Sequence, residues 1–319
     1  MACCTSILFW GVLTAIAIKV FIKLRTGWCK SNVCLVGKTV IVTGANSGIG
    51  YEAAEDFAKR GARVILACRN EGKGKDAEER IKKATNNNNI IYKHLDLASL
   101  KSVRQFAEDI NKTEKRLDIL LNNAGSGFQD PAKSEDGFQL NMAGNYFGHF
   151  LLTNLLLDLL KQTENSRIVN VSSEAAKMVG SIDVNKVNAF PENERFASWE
   201  IYGKSKACNI LFTIHLAEKL KGTTVTTYSL HPGVVNTNIF KTMSKWTRFI
   251  FIAIFKWVWK SSLEGAQTSI YCSVAKNIEN LSGEHFENCH VVDRYNNLRD
   301  PDLPKKLWEV STNFVNLKS

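Results

Sequence analysis

The chain has 319 residues, of which 45% are apolar, and it carries a formal net charge of +10 at pH 7. This length and composition suit one large α/β domain with extensions and a complete core. Residues 1–35 and 241–260 together hold nine basic residues and no acidic one, so the rest is close to neutral. Because both stretches are strongly apolar, they favour an anionic membrane surface as partner and argue against nucleic acid.

The eight cysteines are scattered and show none of the spacings of a metal site. We therefore expect no metal and no requirement for an oxidising compartment. Cys68, Cys208 and Cys272 are interpreted as small buried apolar residues. Cys3 and Cys4 precede an apolar run and are candidates for S-acylation.

The amino terminus contains an apolar run from Ile7 to Ile22 with Lys19 as its only charge. The run is slightly shorter than the roughly 20 residues of a full span, and Lys19 can reach the interface by snorkelling. Basic residues follow the run instead of preceding it, unlike in a cleaved signal peptide. The pattern favours an uncleaved anchor over residues 1–30, with the remaining chain on the cytosolic side. The alternative is an amphipathic arm packed on the domain, which the missing polar face disfavours.

Strand and helix patterns alternate along most of the remaining chain. The predicted strands are Thr39–Val42, Arg63–Ala67, Ile90–Leu95, Leu117–Leu121, Arg167–Val171 and Thr224–Leu230. The predicted helices are Ile49–Arg60, Glu71–Ala84, Ser99–Ile110, Phe138–Leu160 and Tyr202–Leu220. This alternation predicts a single α/β domain built on a doubly wound parallel sheet, with helices on both faces. A ligand crevice is expected at the carboxyl ends of the strands.

A glycine-rich turn, Thr43-Gly44-Ala45-Asn46-Ser47-Gly48-Ile49-Gly50, joins the first strand to the first helix. Gly44 permits a tight turn, Gly48 lets the backbone approach a pyrophosphate, and Gly50 lets the helix pack closely on the sheet. The start of the helix offers N–H groups and a positive dipole end to phosphate. The spacing G-x-x-x-G-x-G between a strand and an amphipathic helix predicts a dinucleotide site.

The end of the second strand indicates which dinucleotide binds. An NAD-binding protein usually has an acidic residue there for the ribose 2′-hydroxyl, whereas this chain reads Ala67-Cys68-Arg69. A guanidinium suits a 2′-phosphate, so the sequence favours NADP (NADPH), unless Arg69 is a solvated surface charge. Asp96, which ends the third strand, either accepts from the adenine amine or caps the following helix.

Tyr202 and Lys206 lie four residues apart, and therefore on one face of a predicted helix. A nearby ammonium and a positive nicotinamide would lower the tyrosine pKa from its usual value of about 10. The tyrosine can then act as general acid in reduction and as general base in oxidation. Ser172-Ser173 ends the fifth strand and supplies a hydroxyl that can polarise a carbonyl.

In this order the motifs resemble the short-chain dehydrogenase/reductase family, and within it the membrane-associated retinol dehydrogenases. The glycine-rich turn and Asn122-Asn123-Ala124-Gly125 match the family as a whole. The strings that match the subgroup are Leu66–Arg69, His94–Ser99, Gly148–Asn154, Arg167–Ser173 and His231–Gly233. The resemblance runs from about Gly37 to the carboxyl terminus and implies a Rossmann-like domain over residues 37–319.

The resemblance also implies the roles of individual residues. Its catalytic set, carried over by position, is Asn145, Ser173, Tyr202 and Lys206. Asn145 would hold a water in a proton relay to Lys206, which would also bind the nicotinamide ribose. The cofactor-binding residues implied are Gly44, Asn46, Ser47, Gly48, Ile49, Gly50, Arg69, Asp96, Leu97, Asn123, Ala124, Gly125, Tyr202, Lys206, Pro232, Gly233 and Thr237.

Two positions depart from the subgroup pattern. Tyr146-Phe147 stands where related enzymes often have His-Leu, next to the implied catalytic set, and could change the shape of the substrate site. Tyr51 stands where they often have lysine, which removes a phosphate contact and weakens the preference for NADP. The stretch from Glu174 to Ile201 has the length typical of the subgroup and is expected to form part of a substrate wall.

A second apolar segment, KWTRFIFIAIFKWVWK, covers residues 245–260. It is too short to span a bilayer, and its flanking tryptophans and lysines are typical of an interfacial helix. It belongs to the substrate loop, about residues 238–260, and is expected to open the substrate pocket toward lipid. A lid helix packed on the core, or a homodimer contact, is an alternative of nearly equal weight.

These observations predict an NADP-dependent oxidoreductase that interconverts an apolar alcohol and its carbonyl, with retinol and retinal as the leading pair. Steroids and isoprenoids are alternative substrates. A non-catalytic NADP-binding membrane protein is the alternative function, which an intact Tyr202 argues against. We expect the endoplasmic reticulum membrane, with the catalytic domain facing the cytosol, or else a mitochondrial membrane.

Overall fold

The computed structural model describes residues 26–127, 132–190, 197–235 and 259–317, together with separate positions between Trp10 and Leu24. Three predictions lie outside these residues: the S-acylation of Cys3 and Cys4, the cofactor contact of Thr237, and most of the interfacial segment, residues 238–258. The described ends of that segment meet, because Val235 and Lys260 form an isolated parallel bridge.

The described residues form one eight-stranded sheet in the order β3-β2-β1-β4-β5-β6-β7-β8. The strands are β1 Thr39–Thr43, β2 Arg63–Cys68, β3 Ile90–His94, β4 Ile119–Asn122, β5 Arg167–Val171, β6 Thr226–His231, β7 His285–Glu287 and β8 His290–Val292. Neighbouring strands run parallel from β3 to β7, and only β8 is antiparallel to its neighbour. The predicted α/β class and parallel sheet are confirmed, with an antiparallel edge strand in addition.

Helices cover both faces of the sheet, as a doubly wound fold requires. They are α1 Gly48–Lys59, α2 Glu71–Thr85, α3 Leu100–Thr113, α4 Gly148–Leu155, α5 Leu157–Gln162, α6 Ala197–Lys219, α7 Ser262–Val274 and α8 Leu303–Phe314. One apolar layer packs α1, α2 and α7 on the sheet. The other packs α3, α4, α6 and α8 on the opposite face.

The single long helix predicted over Phe138–Leu160 is wrong. The chain instead forms a short turn at Leu140–Met142, a π-helical segment at Ala143–Phe147, and then α4 and α5, which are separated at Leu156. Gly148 explains part of the irregularity, because a Cβ there would lie 2.2 Å from the backbone oxygen of Leu97. The helix thus approaches the loop after β3 more closely than a side chain would allow.

The amino-terminal helical positions expose apolar side chains: Trp10 is 66% exposed and Leu24 is 81% exposed. Lys23 forms an ion pair with Glu264, which places Lys23 beside the first turn of α7. Within the described residues, no helix is both long enough and apolar enough to cross a bilayer.

Candidate active site

A cavity of about 730 Å³ opens at the carboxyl ends of the parallel strands. It lies where the strand order reverses between β1 and β4, the place where doubly wound sheets bind their ligands. Every predicted site residue within the described part of the chain lines this one cavity. They are Gly44, Asn46, Ser47, Gly48, Ile49, Gly50, Arg69, Asp96, Leu97, Asn123, Ala124, Gly125, Asn145, Ser173, Tyr202, Lys206, Pro232 and Gly233.

The glycine-rich turn leaves no room for side chains at its two closest approaches. Gly44 has a φ of +67°, and a Cβ there would lie 2.9 Å from the Cα of Ala124. A Cβ at Gly50 would lie 2.4 Å from the Nδ2 of Asn123. The α1 helix begins at Gly48, and the side chain of Ser47 makes no capping hydrogen bond there. The N–H groups at the start of α1 therefore point into a cradle suited to phosphate.

The Thr43 hydroxyl ties this turn to the turn after β4. It accepts hydrogen bonds from the backbone N–H groups of Asn123 and Ala124, both at 2.9 Å. The Asn123 side chain donates in return to the backbone oxygen of Thr43 at 2.8 Å. Two of the predicted cofactor-binding turns are thereby held as one unit.

Arg69 and Asp96 lie at the rim of the cavity, after β2 and β3. Arg69 is exposed, and no acidic residue takes its place at the end of β2. Asp96 accepts from the backbone N–H of Ala98 at 3.0 Å. The cap of α3 is instead Ser99, whose hydroxyl accepts from the N–H of Ser102 at 3.2 Å. Of the two roles open to Asp96, capping the helix is therefore wrong.

Tyr202, Lys206 and Ser173 meet at the centre of the cavity. Lys206 Nζ lies 5.8 Å from the centre of the Tyr202 ring and donates to the backbone oxygen of Val171 at 3.0 Å. Ser173 hydrogen bonds to Tyr202 from the end of β5. Gly125 completes the group, since a Cβ there would lie 3.2 Å from the Nζ of Lys206.

Burial dominates the acid–base properties of this pair. It raises the pKa of Tyr202 to about 12, and the hydrogen bond from Ser173 opposes that rise. Burial also lowers the pKa of Lys206 to about 8. In the protein alone, burial thus shifts the Tyr202 pKa upward, whereas the sequence argument expected a lowering by Lys206 together with a bound nicotinamide.

Asn145 lies in the π-helical segment, and its side-chain amide is fully engaged. Its Oδ1 accepts from the backbone N–H of Ser126 at 2.8 Å, and its Nδ2 donates to the Ser126 carbonyl at 2.9 Å. The same Nδ2 donates to the hydroxyl of Ser205 at 3.0 Å. The side chain thus holds the loop after β4 against α6. A water held by Asn145 would have to use its backbone carbonyl.

The loop after β6 depends on two residues that sequence reasoning did not single out. The Nδ1 of His231 accepts from the backbone N–H of Glu174 at 3.1 Å, which fixes the chain next to Ser173. The Nζ of Lys260 donates to the Pro232 carbonyl at 3.4 Å and to the Oδ1 of Asn288 at 2.7 Å. His231 was visible only as part of a family string, and Lys260 only as the last residue of an apolar run.

The end of the cavity beyond Ser173 mixes apolar and charged side chains. Met178, Trp199 and Val234 contribute the apolar part. Glu174 and Lys177 also line it, and their charged groups form an ion pair at 3.0 Å. In the part of the chain that the structure describes, no cluster of three or more His, Cys, Asp or Glu side chains is arranged to hold a metal ion.

Comparisons with known proteins agree with this geometry. The sequence profile described as short chain dehydrogenase matches residues 38–248. Retinol dehydrogenase 11 of Mus musculus is 43% identical over 314 residues, which cover 96% of this chain and 95% of that protein. A solved protein of Mycobacterium Paratuberculosis is 30% identical with a TM-score of 0.72, over 91% of this chain and 98% of the other. A Shigella flexneri 2a protein assigned to the short chain dehydrogenases, solved in complex with NADP, is 25% identical with a TM-score of 0.62, over 81% and 99% of the two chains.

Proposed function

Because the chain belongs to the short chain dehydrogenase family, we propose that it interconverts an apolar alcohol and its aldehyde or ketone, with retinol and retinal as the leading pair. Membership makes it an oxidoreductase that uses a nicotinamide dinucleotide. One observation carries the proposal: Tyr202, Lys206 and Ser173 meet in the cavity that the glycine-rich turn also lines.

The protein's own residues supply the proton and the orientation for carbonyl reduction. When bound, NADPH supplies the hydride that adds to the carbonyl carbon. Because its pKa is about 12, Tyr202 stays protonated at neutral pH and donates its proton to the carbonyl oxygen. Ser173, which bonds to the same phenol, orients that oxygen. Lys206 is charged below its pKa of about 8 and stabilises the phenolate that remains.

Two features support a dinucleotide with a 2′-phosphate. An exposed guanidinium, Arg69, stands at the cavity rim after β2. The Shigella flexneri relative was solved with NADP. Tyr51 replaces a lysine of the subgroup pattern. The guanidinium of Arg80 lies over the Tyr51 ring, with its Cζ 4.6 Å from the ring centre.

The substrate proposal rests on the relatives and on the apolar part of the cavity. Several relatives are named retinol dehydrogenases, and they are about 40% identical to this chain over most of its length. Met178, Trp199 and Val234 offer an apolar wall to a long hydrocarbon body. Steroid and isoprenoid carbonyls share this requirement and are the alternative substrates.

Membrane lipid is the proposed partner. Exposed apolar residues in the amino-terminal segment, with basic residues among them, favour binding to an anionic membrane surface. We propose the endoplasmic reticulum, with a mitochondrial membrane as the alternative. Flotation of the full chain with phosphatidylserine vesicles should exceed flotation with neutral vesicles, and imaging of the tagged full chain distinguishes the two organelles.

The experiment for catalysis uses the purified full chain in detergent. NADPH and NADH are each tested with retinal, farnesal and a steroid ketone, and NADPH oxidation and alcohol formation are both measured. We expect retinal turnover that prefers NADPH and that falls more than about 100-fold in Tyr202→Phe, the loss typical of a general acid. Tight NADPH binding without turnover of any substrate would instead favour the non-catalytic binding protein.

A further inference from the structure

His149 is a buried residue directly behind the site, on α4 and one turn beyond Asn145. It is 2% exposed, and both of its ring nitrogens are hydrogen bonded. Its Nδ1 lies 3.1 Å from the backbone oxygen of Asn145. Its Nε2 lies 2.9 Å from the Oγ1 of Thr43.

These contacts define the tautomer of His149. The Asn145 carbonyl can only accept, so the proton is on Nδ1. Nε2 must then accept from the hydroxyl of Thr43. The Thr43 oxygen already accepts the N–H groups of Asn123 and Ala124. Its one proton has two acceptors within reach, the Leu121 carbonyl at 3.4 Å and Nε2 at 2.9 Å, and the shorter contact favours Nε2. The imidazole stays neutral, since burial lowers the pKa of His149 to about 3.

The result is one directional chain of hydrogen bonds. It runs from the N–H groups of Asn123 and Ala124 to the Thr43 hydroxyl, then through the imidazole of His149, and ends on the Asn145 carbonyl. One end is a predicted cofactor-binding turn. The other end is a π-helical segment, a form of helix that occurs frequently at functional sites.

We propose that His149 is a positioning residue that couples the dinucleotide turn to the Asn145 carbonyl, so that the cofactor site and the proton-relay site keep a fixed geometry. The proposal rests on the proposed function for its catalytic part. The part that concerns the cofactor site can be tested by NADPH binding, without turnover. Each ring nitrogen serves one of the two sites, and the two contributions can therefore be separated.

Two substitutions divide the two contacts. In His149→Gln the amide oxygen takes the place of Nε2, which keeps the bond to Thr43 and loses the bond to Asn145. In His149→Asn the amide nitrogen takes the place of Nδ1, which keeps the bond to Asn145 and loses the bond to Thr43. If His149 only filled space, the two variants would not differ in which property they lose.

The expected results are opposite for the two variants. His149→Gln should keep the Kd for NADPH, measured by fluorescence titration, within about twofold while kcat falls about fivefold or more, the factor for one neutral buried hydrogen bond. His149→Asn should weaken NADPH binding by about fivefold and keep kcat within about twofold. Parallel losses in both variants, or no loss in either, would overturn the coupling.

The tautomer gives a readout that needs no activity. In ¹⁵N NMR of the parent protein, the imidazole of His149 should remain neutral and protonated on Nδ1 from pH 5 to pH 8. Assignment follows from selective labelling and from loss of the signal in whichever variant folds, and Thr43→Ser should preserve the signal while Thr43→Val alters it. A proton on Nε2, or titration near pH 6.5, would refute the proposal. If the parent turns over no carbonyl but the spectrum and the NADPH affinities behave as stated, the proposed reaction fails while the coupling stands.

Discussion

Replacing Lys206 with methionine should stabilise the fold at neutral pH while it abolishes turnover. Lys206 is 3% exposed, and burial lowers its pKa from 10.5 to about 8. In the unfolded chain the ammonium keeps its ordinary pKa. At pH 7 Lys206 is therefore charged in both states, but the folded protein binds the lysine proton less tightly than the unfolded chain does.

The magnitude follows from the difference of about 2.5 pKa units between the two states. At about 1.36 kcal/mol per unit, the buried charge destabilises the folded state by roughly 3 kcal/mol below pH 8. Between pH 8 and pH 10.5 the unfolded chain binds more protons, so stability of the parent rises with pH. Methionine removes the destabilising charge and loses one hydrogen bond, worth about 1 kcal/mol. The Val171 carbonyl keeps a donor, the Nδ2 of Asn209 at 3.3 Å, so the net gain at pH 7 is about 2 kcal/mol.

Urea unfolding at pH 7, 8, 9 and 10 tests this reasoning. The Lys206→Met variant should be more stable than the parent at pH 7, and the difference should shrink steadily toward pH 10, while kcat falls at least about 100-fold. Lys204→Met is the matched control on the same helix, where a half-exposed ion pair with Glu200 should change stability by less than about 1 kcal/mol. A Lys206→Met variant that is about 2 kcal/mol less stable than the parent at pH 7, or a difference that does not vary with pH, would refute the assignment of a destabilising buried charge.

Three other predictions concern pH, cofactor binding and cofactor choice. The rate of carbonyl reduction at saturating NADPH should be flat from pH 6 to 7.5 and fall above about pH 8 as Lys206 loses its proton; a profile that rises through pH 9 would contradict this. Gly50→Ala should weaken NADPH binding more than about 100-fold, because its Cβ would lie 2.4 Å from the Nδ2 of Asn123. Gly72→Ala, where a Cβ has no atom closer than 3.8 Å, is the control and should bind as the parent does. Arg69→Ala should lower the preference for NADPH over NADH, measured as a ratio of Kd values, by about 10-fold or more; an unchanged ratio would show that Arg69 is a solvated charge.

The parts of the fold that the sequence predicted are those with a local signal. All six predicted strands are present, with boundaries within a few residues, because apolar runs such as Thr39–Val42 are read from composition alone. The hairpin of β7 and β8 was missed, since each strand has three residues. Its turn places Asn288 and Cys289 at positive φ. An Asn-Gly pair would have predicted such a turn from the sequence, whereas an Asn-Cys pair does not.

The site was predictable in its membership and less so in its chemistry. The turns and the Tyr202–Lys206 spacing identify residues that line one cavity, because spacing fixes which side of a strand or helix a residue occupies. Burial is a property of the assembled fold, so the direction of the Tyr202 pKa could not be read from spacing. The π-helical segment at Asn145 was hidden for the same reason: its sequence continues a helical pattern, and the close approach of Gly148 to Leu97 is a tertiary contact.

The stability cost of Lys206 bears on whether this chain is an enzyme or a binding protein. The buried charge of Lys206 destabilises the fold by roughly 3 kcal/mol at neutral pH. That is a large share of the 5–15 kcal/mol that holds a typical domain folded. Contact with the ribose of a dinucleotide does not require a desolvated ammonium, whereas proton transfer to a carbonyl uses a desolvated lysine beside a protonated tyrosine. The destabilising charge thus lies where catalysis, and not cofactor binding alone, would keep it.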